Sequence, residues 1–73
     1  MNGYVSRNAN IMHGAPCFAG TRVTIDTMFD HLKAGYSIEA FLSEFPTVRR
    51  EQVVGLLERL RDTAEREMVV ESA

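Results

Sequence analysis

Residues 35–57, GYSIEAFLSEFPTVRREQVVGLL, predict two helices joined by a short turn. Ser37 can cap the first of them, and Glu39 stands in its first turn, where the helix dipole favours an acid. Pro46 ends this helix, because the residue before a proline avoids helical backbone angles. Between these signals the apolar residues recur at the spacing of one helical face, at Ile38, Phe41, Leu42 and Phe45.

The helix that follows is predicted to be the longest, from Val48 to Met68, with Thr47 as its cap. Gly55 interrupts it at a cost of about 1 kcal/mol relative to alanine. A close helix crossing could explain a glycine at that position. We expect its apolar stripe to be buried, namely Val53, Leu56, Leu57, Leu60 and Ala64.

A packing helix precedes this pair. Thr24 can cap it, Asp26 lies in its first turn, and Gly35 supplies a left-handed stop. Its apolar face is Ile25, Met28, Phe29 and Leu32. A packing helix, a short second helix, a tight turn and a long third helix make a helix-turn-helix, although many three-helix bundles share this spacing. The pattern therefore predicts a mainly α, three-helix domain and leaves its role open.

A short β element is predicted in front of the helices. Residues 4–6 favour a strand, and the segment HGAPCFAGTRV at residues 13–23 lacks helical periodicity. We interpret that segment as a strand, a turn or bulge in which Gly20 adopts a positive φ, and a second extended piece. Pro16 is typical of an edge strand. Because exposed edges invite pairing, two copies could join there as a two-fold dimer and present two reading helices to a palindromic operator.

The length and the charge of the chain limit the functions that it can have. The 73 residues form one domain, with a β arm at 1–23, a helical core at 24–66 and a tail at 67–73. The net charge of −2 argues against strong non-specific nucleic-acid binding, but residues 1–25 carry a charge of +2 and no acid. A chain of this size buries only about 60% of its extended surface, so a partner could complete the core. The lone Cys17 and the lack of a signal-like start predict a reducing cytoplasm, and no apolar run is long enough to span a membrane.

Three stretches, GAPCFAGTRV, AGYSIEAFLSEFP and REQVVGLL, together resemble DUF433, a small family of bacterial and archaeal proteins of unknown function. The resemblance covers residues 8–62 and rests on Gly14, Pro16, Phe18, the Gly-Thr-Arg-Val run at 20–23, the Gly-Tyr-Ser run at 35–37, Glu39, the Phe-Pro pair at 45–46 and the stripe Val53–Leu60. It implies a homeodomain-like helix-turn-helix with a short β element in front. It also implies a VapB-like antitoxin that represses its own operon and sequesters a PIN-domain ribonuclease toxin. Only thirteen residues follow Leu60, fewer than a toxin-wrapping tail would need.

The candidate DNA-binding residues lie in two places. A recognition helix needs donors at its first turn, for base edges and phosphates. Thr47, Arg49, Arg50 and Gln52 are of that type, and Arg22 and Arg7 could contact phosphate from the front arm. Each set has a structural alternative. The helix start could simply be solvated, and Arg22 could pair with Asp26 or cap a helix.

A second hypothesis is a protein-interaction module that binds no DNA. It would dock the end of the third helix and the tail on a toxin or another protein, through Leu60, Ala64, Met68, Val69 and Val70. The acidic second half of the chain would suit a basic partner, or a ribonuclease active site. His13, Cys17 and His31 are too scattered for a zinc pattern, and so small a chain implies no catalytic cleft. We therefore expect a binding protein without metal or cofactor, not an enzyme.

Overall fold

The structure is a computed structural model that describes residues 3–67. Two short strands come first, β1 (Val5–Ser6) and β2 (Cys17–Phe18), with one turn of 3-10 helix between them at Met12–Gly14. Three helices follow, α1 (Ile25–Lys33), α2 (Ile38–Glu44) and α3 (Arg50–Arg66). The predicted class is confirmed, since the domain is mainly α with a short antiparallel β element at its front.

The first two helices begin and end where their local signals predict. The Thr24 hydroxyl accepts from the Thr27 N–H at 3.1 Å, and the Ser37 hydroxyl accepts from the Ala40 N–H at 3.0 Å. Gly35 follows α1 with a φ of 96°, a left-handed conformation that costs glycine little. These caps are local hydrogen bonds, which is why the sequence alone predicts them.

The start of α3 differs from the prediction. Its N-cap is Arg49, not Thr47, and the helix begins at Arg50, not at Val48. Val48 lies in the preceding turn, where it is buried in the core. Met68, the predicted last residue, lies outside the described residues, and the helix runs through Arg66.

The core combines one strand with all three helices. Its buried members come from β2, α1, α2, the turn before α3 and α3 itself, as Phe18, Met28, Phe41, Val48 and Val53. The predicted burial of Leu60 and Ala64 is wrong, because both are exposed. A helix of 17 residues is about 25 Å long, so α3 is longer than the nine-residue α1 and the seven-residue α2, and its residues from Glu58 onward are exposed.

The β element is a small ladder with β2 in the middle. Val5 pairs with Phe18 and Ser6 with Cys17, and on the other side Cys17 bridges to Thr24. Pro16 therefore precedes a strand of a two-stranded sheet whose other side carries only the isolated bridge to Thr24. Within the described residues the outer side of β1 is the unpaired edge.

Gly55 is explained by the β arm and not by a helix crossing. The Tyr4 ring lies against it, so that a Cβ at residue 55 would stand 2.5 Å from Tyr4 Cζ. The same ring lies 5.4 Å from the guanidinium carbon of Arg59. The start of the front arm is thus held against the middle of α3. None of the helices between residues 3 and 67 has the length and apolar character needed to cross a membrane.

Candidate functional site

A groove of about 660 Å³ runs between the β arm and the turn that precedes α3. Three residues predicted to contact DNA line it together, Arg7, Arg22 and Thr47. The other lining residues are polar or apolar, and no carboxylate is among them: Ser6, Asn8, Ile11, Gly20, Thr21 and Val23. The basic front arm predicted from the sequence therefore becomes one wall of a concave, positively charged surface.

The loop at residues 18–23 presents Arg22 on a closed ring of hydrogen bonds. The Thr21 N–H and hydroxyl both donate to the Phe18 carbonyl, at 3.0 and 2.8 Å, and the Thr21 hydroxyl accepts from the Val23 N–H at 3.0 Å. The Phe18 N–H in turn donates to the Val23 carbonyl at 2.9 Å. Gly20 has a φ of 78°, so the predicted positive φ is confirmed. Each neighbour of Arg22 thus has a structural task in the loop.

Arg22 itself has no structural task in the described part of the chain. Its side chain is exposed, and it makes neither a hydrogen bond nor an ion pair with any of residues 3–67. The pairing with Asp26 and the capping of a helix, which the sequence left open, are not formed there. Its guanidinium is therefore available to a ligand.

Arg7 is fixed at one atom and available at the others. Its Nε donates to the Gly14 carbonyl at 2.9 Å. That carbonyl belongs to a turn in which Met12, His13 and Gly14 all have left-handed backbone angles, with φ of 51°, 57° and 82°. The two Nη groups have no partner among residues 3–67. Because Arg7 is held by one bond, less side-chain entropy remains to be lost when a ligand binds.

The two arginines at the start of α3 have carboxylate neighbours. Arg49 Nε lies 3.3 Å from Glu51 Oε1, and Arg50 Nη2 forms an ion pair with Glu39 Oε2. All four side chains are more than half exposed. Exposed ion pairs of this kind are worth at most about 1 kcal/mol, so a phosphate could displace either carboxylate. The pair is accessible, but each of its guanidiniums has a carboxylate neighbour, unlike those of Arg7 and Arg22.

Gln52 does not project outward, and that part of the prediction is wrong. The residue is 1% exposed. Its Oε1 accepts from the Arg49 N–H at 2.9 Å, and its Nε2 donates to the Ala19 carbonyl at 3.0 Å. Gln52 therefore ties the start of α3 to the loop that carries Arg22, and it holds the two walls of the groove in register. The local one of these two contacts could be recognised in the sequence, because a glutamine three residues after the true N-cap forms half of a capping box. The contact with Ala19 could not.

The predicted partner-binding residues are exposed where the structure describes them. Leu60 is 42% exposed, and Ala64 lies on the same projecting end of α3. The remaining three, Met68, Val69 and Val70, lie outside the described residues.

The three residues considered for metal binding have separate environments. His13 is exposed in the left-handed turn, and the buried Cys17 has its Sγ 3.4 Å from the Ala15 carbonyl oxygen. His31 joins α1 to α2, with Nδ1 2.8 Å from the Thr27 carbonyl oxygen and Nε2 3.3 Å from Glu44 Oε2. Between residues 3 and 67, no three histidine, cysteine or acidic side chains are arranged to hold a metal ion.

The fold and the site thus define a three-helix domain that has the element order of a helix-turn-helix and a basic groove before its last helix. The chain belongs to the family described as "Protein of unknown function (DUF433)", whose sequence profile matches residues 5–58. The match spans both strands, α1, α2 and the first half of α3, and so includes the whole groove. No curated protein and no solved structure matches the chain.

Proposed function

We propose that the protein is a DNA-binding repressor of a toxin–antitoxin operon, of the antitoxin type that its sequence resembles. The observation that carries the proposal is the groove in which Arg7 and Arg22, both without carboxylate partners in residues 3–67, adjoin Thr47 just before α3. In a helix-turn-helix the start of the second helix of the motif approaches the major groove, while flanking cations contact the backbone.

The roles divide according to the surroundings of each residue. Arg7 and Arg22 contact phosphates from the groove wall, where no acid of residues 3–67 competes. Arg49 and Arg50 exchange their exposed carboxylate partners for phosphate oxygens or base edges. Thr47 lies at the junction of the two surfaces. Gln52 contacts no DNA in this proposal, since it is buried, and acts only by positioning α3 against the loop.

The overall charge of −2 does not oppose this proposal. The acids are absent from residues 1–25, which carry a charge of +2, and numerous in the second half of the chain. Affinity for DNA depends on the charges that contact phosphates and release counterions, and only weakly on the remote charges. The binding should accordingly be selective and steeply dependent on salt.

The test is a mobility shift with the DNA upstream of the gene, at several salt concentrations. Replacing both Arg49 and Arg50 by alanine should reduce the slope of log K against log salt by about 2, because about one counterion is released per phosphate contact. Arg66→Ala is the matched control, because Arg66 is exposed on α3 and has no ion pair with residues 3–67. Absence of binding by the wild-type protein, or an equal loss in the control, would reject the proposal.

A two-fold dimer through the β arm is part of the same proposal. Its support is the unpaired outer edge of β1, which is only two residues long. Sedimentation of the purified protein at several concentrations tests it. A monomer at all concentrations, or a dimer that persists after Val5→Pro, would exclude this edge as the contact.

Toxin binding has a different location. The favouring observation is that residues 58–67 are all exposed, so the second half of α3 projects from the domain with Leu60 and Ala64 uncovered. This is also the surface of the alternative function, a protein-interaction module without DNA binding. Leu60→Asp should abolish capture of a co-expressed PIN-domain toxin and leave the mobility shift unchanged. If only capture is observed and no DNA is bound, the alternative replaces the repressor proposal.

A further inference from the structure

The groove between the β arm and Thr47 has the size and lining of a small-ligand site. Its volume of about 660 Å³ lies within the range of pockets that enclose organic ligands. Ile11 and Val23 supply apolar surface, and Arg7 and Arg22 supply charge. A site that served only to attract a nucleic-acid backbone would need the charges but not the apolar surface.

We infer that this groove binds a phosphate monoester or diester, with its oxygens on Arg7 and Arg22 and the uncharged part of the ligand against Ile11 and Val23. The inference rests on the proposed function only for one source of the phosphate, the DNA backbone. A free phosphorylated small molecule is the other source, and it would compete with DNA for the same arginines.

The charge count favours phosphate over carboxylate. A single guanidinium satisfies a carboxylate with two parallel N–H donors. Two guanidiniums that line one groove and lack acidic partners among residues 3–67 supply a charge of +2. This charge matches the charge of about −2 on a phosphate monoester at neutral pH, or the combined charge of two successive phosphodiesters in a DNA backbone. A carboxylate ligand would leave one of these arginines without a counter-charge.

The loop geometry makes the site ready before the ligand arrives. The ring of hydrogen bonds at residues 18–23 fixes the backbone that carries Arg22, and the Gly14 carbonyl fixes Arg7 at its Nε. Gln52 fixes the distance between this loop and the turn that carries Thr47. Such preorganisation lowers the entropic cost of ordering the binding groups.

The first experiment measures binding of deoxyadenosine monophosphate by backbone-amide NMR shifts on the full chain, with deoxyadenosine as the probe without phosphate. The nucleotide should shift the amides of residues 20–23 and of Thr47, and the nucleoside should not. Arg22→Ala should weaken the nucleotide by about tenfold or more, since a hydrogen-bonded charge is lost. Arg66→Ala should change the affinity by less than about twofold, because an exposed remote charge is screened.

The inference is overturned if the nucleotide causes no shifts in the groove, or if Arg22→Ala and Arg66→Ala weaken it equally. Arg22→Lys guards against a general charge effect. It keeps the charge but loses the planar fork, so it should bind the nucleotide more weakly than the wild-type protein does. Equal binding by Arg22→Lys and the wild-type protein would also contradict a site built on guanidinium geometry.

A competition experiment separates the two sources and the two proposals. A short DNA duplex with the upstream sequence is added to the protein loaded with the nucleotide. Displacement of the nucleotide identifies the DNA backbone as a source of the phosphate. If the duplex fails to bind while the nucleotide still occupies the groove, the repressor proposal fails, and the groove is the site of a free phosphorylated ligand.

Discussion

The two arginine pairs of this domain differ in their neighbours more than in their exposure. Arg49 and Arg50 precede or open α3 and each faces a carboxylate, whereas Arg7 and Arg22 line a groove to which residues 3–67 contribute no acid. The first pair is the one that a helix-turn-helix pattern singles out. The second pair keeps its full charge, because no carboxylate among the described residues forms an ion pair with it. Whether an arginine is available to bind an anion therefore depends more on the carboxylates around it than on its position in a motif.

Gln52 joins the start of α3 to the loop that carries Arg22, so a substitution at Gln52 should disturb both arginine pairs. We expect it to give the largest effect. In Gln52→Glu a carboxylate replaces the amide that donates to the Ala19 carbonyl, and it does so at a buried position. We expect a loss of about 3 kcal/mol or more in the free energy of unfolding, measured with urea.

The pH dependence of Gln52→Glu gives an internal check. Once protonated, the new carboxyl group can again donate to the Ala19 carbonyl, and burial favours this neutral form by raising its pKa. The folded state would then bind a proton more tightly than the unfolded state, so the variant should regain stability as pH falls. Glu51→Gln, next to it and exposed, should change stability by less than about 0.5 kcal/mol. Equal losses at residues 51 and 52 would show that Gln52 does not hold the groove together.

The second largest effect is expected for Gly55→Ala, which should disturb only the pair formed by Arg7 and Arg22. The new methyl group would meet the Tyr4 ring, so the ring, or the front arm that carries both Tyr4 and Arg7, must shift. Overpacking of this kind costs about 1–3 kcal/mol and outweighs the gain of about 1 kcal/mol in helix propensity. In a Tyr4→Ala background the same change should stabilise the protein instead. A stabilising Gly55→Ala in the wild-type background would contradict the contact.

Thr21→Val tests the loop that presents Arg22. The substitution keeps the shape of the side chain but removes the hydroxyl that bonds Phe18 and Val23. We expect a loss of about 1–2 kcal/mol in the free energy of unfolding and weaker binding at the groove. Thr21→Ser keeps the hydroxyl and should bind as the wild-type protein does. Full binding by Thr21→Val would show that the loop does not need this ring of hydrogen bonds.

The smallest effects on stability belong to the arginines themselves. Arg22→Ala and Arg50→Ala should each change the free energy of unfolding by less than about 0.5 kcal/mol, since both side chains are exposed. Arg50→Ala also leaves Glu39 without its partner and so makes the surface more acidic. A larger loss for Arg22→Ala would assign that residue a structural role.

What the sequence predicted correctly depends on local hydrogen bonds and on periodicity. The caps Thr24 and Ser37, the left-handed Gly35 and the three helical stripes near the core are all encoded within a few residues. The error at Gln52 has a long-range cause. Gln52 bonds a carbonyl 33 residues away, and its side chain is buried where local rules leave it exposed.

Some residues of the candidate site could be predicted from the sequence, but their arrangement could not. The basic character of residues 1–25 and the choice of Arg7 and Arg22 as phosphate contacts follow from composition. Their meeting with Thr47 across one groove does not, because it depends on how the β arm packs against α3. The Tyr4 and Gly55 contact is of the same kind, since the glycine is visible in the sequence but the ring that fills its space is not.

We infer that the acid-free arginine pair, more than the pair at the start of α3, determines anion binding. The deciding experiment compares the affinity for upstream DNA of two double variants, Arg7→Ala with Arg22→Ala and Arg49→Ala with Arg50→Ala, across salt concentrations. The groove variant should lose more affinity at low salt, because the α3 arginines must first leave Glu51 and Glu39. A larger loss in the α3 variant, with the groove variant close to the wild-type protein, would contradict it.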